Sequence, residues 1–238
     1  MWKPSDLLEG YRTYHCECYG YQRLFCQRSF DHRGNPLFPG LVANLIDDKT
    51  LIEYGWKSPE EPISTCHGII YHVSHEHALN VLQELDYRER GGYIRHRISV
   101  LMHENTPFHS RGDVADAIVY TGKPFNPNYY LPKLQTPSDY TMTMIQLANI
   151  IAHAHGPSGS NAEYLLNLAT FMKKSDMTDD RLEFLSELVH RKLNIISKEA
   201  YFTPFRIMEW GASEIQGDRF ISLSGIDYFC RAEYDPIC

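Results

Sequence analysis

The run Leu85-Asp86-Tyr87-Arg88-Glu89-Arg90-Gly91-Gly92-Tyr93 places one carboxylate, Glu89, where an apolar helical pattern gives way to a Gly-Gly turn. Such a junction can aim one acid inward while its neighbours stay solvated. A carboxylate held partly out of water accepts and returns a proton near neutral pH, which is general acid/base chemistry. Arg88 and Arg90 beside it equally suit a solvated helix-end cluster, and spacing alone leaves both readings open.

Other candidates are weaker. Cys16-Glu17-Cys18 beside His15 offers soft ligands, but structural zinc sites space paired thiolates by two to four residues and need a second pair. Free thiols are expected for all six cysteines, in a chain too long for a disulfide-stapled miniature fold. Among the twelve histidines, His72, His75 and His77 straddle a strand end and a helix start. His153 and His155 lie two apart on a helix, so they face different ways. No metal is expected. A phosphate-binding loop, a dinucleotide fingerprint, His-Glu-x-x-His and Gly-x-Ser-x-Gly are all missing from the sequence.

The elements that must carry these residues follow from texture. Of 238 residues, 43% are hydrophobic and 22% charged, which fits a folded globular chain and excludes collagen-like and wholly disordered classes. Thirty acidic against 23 basic side chains give a net charge of −7, with no dense basic patch, so nucleic acid and acidic membrane surfaces are not expected partners. No apolar run approaches the roughly 18 residues of a bilayer span, and the start lacks a secretory signal core, which predicts a cytoplasmic protein.

Short β-rich stretches predict strands over 22–29, 40–46, 64–73, 93–102 and 114–121. Ser74 caps a predicted helix that ends near 86–89, and Thr136-Pro137-Ser138-Asp139 opens another that carries Met144, Leu147, Ala148 and Ile151. After the break at Gly156-Pro157-Ser158-Gly159, Ser160-Asn161-Ala162-Glu163 reads as a capping box. A last helix is predicted over 179–197, with Leu182, Leu185, Leu188, Val189 and Leu193 inward. Strands first and helices later predict an α+β fold, a small bent sheet or β-barrel with surrounding helices. Residues 1–199 are expected to form the domain, and 200–238 a carboxyl-terminal extension of unassigned role.

Over residues 1–195 the chain resembles the ChaC-type glutathione-specific γ-glutamylcyclotransferases. The matching motifs are Trp2-Lys3-Pro4, Asp31-His32-Arg33-Gly34 with Pro39-Gly40, Leu85 to Glu89 with Gly91-Gly92-Tyr93, Asn126-Pro127-Asn128-Tyr129, and Gly156 to Gly159 with Asn161, Glu163 and Tyr164. Their order and spacing together are specific. The resemblance implies a cofactor-free cytoplasmic lyase of glutathione catabolism, splitting glutathione into 5-oxoproline and cysteinylglycine. It implies Glu89 as the acid/base and Tyr164, Arg33 and Tyr129 as substrate contacts.

The family also carries a Tyr-Gly-Ser-Leu anchoring loop just ahead of Trp-Lys-Pro. Here Met1 stands where that loop ends, so the loop and the first strand are expected to be absent. Arg28 and Phe30 stand where the family has glycine and threonine. Three readings follow: the active enzyme, a catalytically impaired relative that works as a binding or interaction protein, and an enzyme for other γ-glutamyl amines.

Overall fold

A computed structural model describes residues 11–89 and 91–211, with 197–211 as helical backbone. The chain divides into units Met1–Ile195 and Ile196–Cys238, and everything below on sheets, core and site concerns the first. The strands are β1 (Arg12–Tyr19), β2 (Tyr21–Ser29), β3 (Gly40–Asp47), β4 (Thr65–His72), β5 (Tyr93–Met102) and β6 (Val114–Gly122). The helices are α1 (Asp48–Glu53), α2 (His75–Arg88), α3 (Pro137–His153), α4 (Asn161–Lys174) and α5 (Asp180–Gly211). A two-residue ladder joins His155–Gly156 to Gly159–Ser160.

All five expected strands are present with ends shifted by at most one residue. Besides the short ladder at 155–160, which takes His155 off the helix the sequence predicts because that helix ends at His153, two elements escape the sequence reading. β1 has no apolar run of its own and is defined by what it pairs with, β4 along its whole length and β5 at Cys16, Glu17 and Cys18. α1 is a six-residue turn of helix, too short to show periodicity, and is started by Asp47, whose carboxylate accepts from the Thr50 amide at 2.9 Å.

The sheet order β4-β1-β5-β6 and the separate pair β2-β3 are antiparallel throughout. Side chains join the two sheets at both margins. Asn44 of β3 donates to the Gly122 carbonyl at 3.1 Å and accepts from its amide at 3.0 Å. On the other side Arg23 donates to the His67 carbonyl at 2.6 Å, and Gln22 to the Ser64 hydroxyl at 2.8 Å. The result is the curled half-barrel with surrounding helices that strands followed by helices predict.

The larger core lies between β2–β3 and helices α3, α4 and α5, with Leu24, Phe25, Leu41, Ile151, Leu165, Leu185 and Val189 all buried. Leu182 is buried with them, while Leu188 and Leu193 pack at the margin, as the predicted inner face requires. A smaller cluster of Cys16, Cys18, Cys66, Val100, Met102 and Ala115 lines one face of the four-stranded sheet. The cysteines at 16, 18, 26 and 66 are free thiols.

Thr136 and Asp139 make the full capping box of α3. At α4 only half of the expected box forms: Ser160 accepts from the Glu163 amide at 3.1 Å, but the Glu163 carboxylate turns to Arg33. Ser74 precedes α2 in extended conformation, and its hydroxyl pairs with the His77 ring at 2.8 Å. The expectations about the strand ahead of Trp2 and most of the 200–238 extension fall outside the described residues.

Candidate active site

Glu89 closes the last turn of α2, its amide donating to the Leu85 carbonyl at 2.8 Å. Its side chain is about 20% exposed and meets Arg88 Nε at 3.3 Å, so the solvated-cluster partner and the inward aim coexist. What fixes its direction is the turn that follows. Gly92 has φ +90°, a left-handed value costly to a side chain, and a Cβ there would stand 2.4 Å from the Asn126 side chain.

Asn126 is buried and donates to the carbonyls of Gly91 at 3.2 Å and Gly92 at 3.0 Å, while its Oδ1 accepts from the Asn128 amide at 2.9 Å. Asn128 adds a bond to the Gly91 carbonyl at 3.3 Å. The Asn126-Pro127-Asn128 motif is thus a clamp on the Gly-Gly turn. Gln27 completes it, accepting from Asn126 at 3.3 Å and donating to the Gly91 carbonyl at 3.4 Å.

Gln27 is 2% exposed and was not singled out by sequence. A bulge between Phe25 and Gln27 shifts the register of β2 against β3, and bulges re-aim side chains in this way. No local signal announces that geometry. A polar residue directly after the apolar run Leu24-Phe25-Cys26 was the one available clue.

The second wall comes from two loops packed backbone to backbone. The Ser158 amide donates to the His32 carbonyl at 3.0 Å, and Asn35 donates to the His155 carbonyl at 3.3 Å. A Cβ on Gly156 would stand 2.1 Å from the His32 carbonyl oxygen, so only glycine permits the approach. Asn161, fully buried, pins the start of α4 to β3: its Oδ1 accepts from the Leu41 amide at 2.6 Å and its Nδ2 donates to the Leu41 carbonyl at 2.7 Å.

Arg33 is held between these loops. Its Nη1 donates to the Ser160 carbonyl and to Glu163, each at 3.1 Å, and its guanidinium lies 5.5 Å from the Tyr164 ring centroid. Burial raises the Tyr164 phenol, with the Glu89 charge pushing the same way and the Ala43 amide, Arg23 and Arg33 opposing it. Burial also raises Tyr93, again with Glu89 and Tyr164 among the charges it senses. Both phenols stay protonated in the neutral range and are available as hydrogen-bond donors.

Glu89, Tyr93, Tyr164 and Arg33 are therefore brought into one electrostatic neighbourhood from β2–β3, α2–β5 and α4. Tyr129 stands beside Tyr54. Its ring meets Tyr54 edge-on at 6.4 Å, its hydroxyl is buried without a hydrogen-bond partner, and burial with nearby Cys26 and Tyr54 raises its phenol. Its amide donates to the Asn126 carbonyl at 2.9 Å and closes that turn.

Residues 1–192 match the family profile described as ChaC-like protein. The chain belongs to the ChaC-like family. Among curated relatives of this ChaC-like chain, one from Saccharomyces cerevisiae is 29% identical over 207 residues, covering 76% of this chain and 85% of that protein. One from Schizosaccharomyces pombe is 32% identical over 175 residues, covering 73% and 78%. Both are named glutathione-specific gamma-glutamylcyclotransferase. A crystal structure of a yeast γ-glutamyl cyclotransferase specific to glutathione superposes with a TM-score of 0.65 at 31% identity, covering 77% of this chain and 90% of that one. Among the described residues no helix is long and apolar enough to cross a membrane.

Proposed function

We propose that this chain is a glutathione-specific γ-glutamylcyclotransferase that releases 5-oxoproline and cysteinylglycine, with Glu89 as its general acid/base. The observation that carries the reading is the convergence of Glu89 with Tyr93, Tyr164 and Arg33, set by a clamped Gly-Gly turn on one side and two interlocked loops on the other. Family membership and the names of the relatives support the same activity.

The reaction asks little else of a protein. The α-amino group of the γ-glutamyl moiety attacks its own γ-carbonyl and closes a five-membered ring, so no protein nucleophile is required. Glu89 takes a proton from the α-ammonium, making the amine nucleophilic, and returns one to the departing cysteinylglycine amine as the amide C–N bond breaks. Holding the γ-glutamyl chain folded removes much of the entropic barrier. Tyr164 and Tyr93, kept neutral by burial, supply hydroxyl donors beside the acid, and Arg33 fixes the Tyr164 ring. The free buried thiols accord with a reducing compartment, so we assign the protein to the cytoplasm with glutathione as its small-molecule partner.

The test is release of 5-oxoproline and cysteinylglycine in equal amounts when the full chain meets glutathione, compared with a γ-glutamyl dipeptide that lacks cysteine. Faster turnover of the cysteine-free dipeptide would refute the glutathione assignment. Thermal protection by glutathione without product would favour the impaired, binding relative.

A further inference from the structure

A second cluster of chemically capable side chains stands away from the Glu89 site. β5 runs from Tyr93, four residues past Glu89, to Met102, just before His103. At about 3.3 Å per residue those ends lie some 30 Å apart. Around His103 three side chains from neighbouring strands converge: Glu17 of β1, His67 of β4 and His103 itself.

Glu17 Oε2 lies 3.6 Å from His67 Nδ1 and 3.3 Å from His103 Nε2, and all three ligand atoms lie within 4.8 Å of one another. The imidazoles meet edge-on at 5.8 Å. In a tetrahedral site with metal–ligand distances near 2.0–2.2 Å, neighbouring ligand atoms stand about 3.3–3.6 Å apart. The two Glu17 distances already match, and the two imidazole nitrogens lie within 4.8 Å of each other.

Two further observations point the same way. The other carboxylate oxygen, Oε1, accepts a hydrogen bond from the Tyr19 hydroxyl, which holds the Glu17 plane and leaves Oε2 facing the rings. Outer partners of this kind orient ligands in metal sites. His103 Nε2 is buried with no hydrogen-bond partner, because the Glu17 oxygen at 3.3 Å is outside hydrogen-bond alignment. A carboxylate with only 11% of its side chain exposed, beside an imidazole nitrogen without a bond, is completed by a cation.

We propose that Glu17, His67 and His103 form a binding site for a divalent transition-metal ion, zinc foremost. Two neutral imidazoles and one carboxylate leave a net charge of +1 with a divalent ion bound, and three protein ligands leave a position for water, so the site is exchangeable rather than a closed structural one. Imidazole donors favour zinc and its neighbours over magnesium or calcium. The pleat explains why the sequence reading, which expected no metal, did not bring these three together: Cys16 and Cys18 pack with Cys66 in the small core, while Glu17 between them turns to the histidines.

Equilibrium dialysis of the chelator-stripped, tag-free full chain against Zn²⁺ tests this, with Co²⁺ as a spectroscopic probe. One equivalent is expected, with Co²⁺ bands of nitrogen and oxygen ligation and no thiolate charge transfer. Glu17→Gln and His103→Gln should each weaken binding more than about 100-fold, beyond the roughly 10–100-fold expected for the outer partner in Tyr19→Phe. Cys18→Ser should bind as the parent does. Zinc should raise the melting temperature of the parent but not of Glu17→Gln, whose 5-oxoproline release should be unchanged. Absence of stoichiometric binding, binding that survives Glu17→Gln, or a thiolate band overturns the proposal. Should Glu17→Gln fail to fold, His103→Gln and Tyr19→Phe decide by the same criteria.

Discussion

Helices α2 and α4 are each 14 residues long and each deliver a residue to the candidate active site, yet they are held in opposite ways. α4 buries Asn161, Ala162, Leu165, Leu168 and Met172 in the main core. α2 buries Val81 alone, leaving Leu79 at 65% and Tyr87 at 68% exposure. Tyr164 thus rides on a helix fixed by packing. Glu89 rides on one fixed mainly at its exit, where Asn126, Asn128 and Gln27 grip the Gly91-Gly92 turn. The Glu89 carboxylate is positioned by hydrogen bonds at its helix exit, and the helix that carries Tyr164 by apolar burial.

The comparison breaks most visibly at the acid. Glu89→Gln should lower 5-oxoproline release by about 10²–10⁴-fold with far-UV circular dichroism unchanged, since removal of a positioned acid/base costs that much. Tyr164→Phe should lose far less, because it removes one donor. Activity retained by Glu89→Gln would end the assignment.

The contrast in packing should appear in stability. Leu165→Ala, at a site with no exposure, should cost about 2–5 kcal/mol in denaturant unfolding. Val81→Ala should cost about 1 kcal/mol, from two methyl groups at a buried position that belongs to neither core cluster. Equal losses would show α2 to be anchored as firmly as α4.

Asn126→Ala separates positioning from folding. It leaves the Gly91 and Gly92 carbonyls short of a donor and should destabilise by about 1–3 kcal/mol. If the clamped turn serves to aim Glu89, as proposed, turnover should fall further than glutathione affinity. Unchanged turnover in a folded variant would detach the clamp from catalysis.

The smallest effect concerns the β3–α1 corner. Burial pushes Asp47 and Asp48 up, but Thr50 with Lys123 outweighs it at the first, and Ser64 with Lys57 at the second, so both carboxyls lie below their ordinary value of 3.8. A depressed folded-state value means stability present above the ordinary carboxylate range and lost as pH falls through the folded value. Thermal unfolding of Asp47→Asn should therefore show a shallower loss of stability below about pH 4 than the parent.

Much of this was legible in the chain. Turn residues and apolar spacing marked the strands from β2 to β6 and the helices α2 to α5, because those signals are local. The ordered motifs marked Glu89, Tyr164 and the interlocked glycine loops. β1 was not legible, since its residues gain their places only by pairing with β4 and β5. Nor was the role of Gln27, which depends on a bulge, or the edge-on pairing of Tyr129 with Tyr54.

What the sequence determined by itself was therefore the inventory: an acid at a helix exit, a capped helix carrying a tyrosine, and glycines where backbones must touch. Only the tertiary structure decided which of these meet. Residues such as Gln27 and Asn126, or Glu17 and His103, lie dozens of positions apart, and strand pairing with the pleat chooses their face and partner. Local propensity carries no information about that choice.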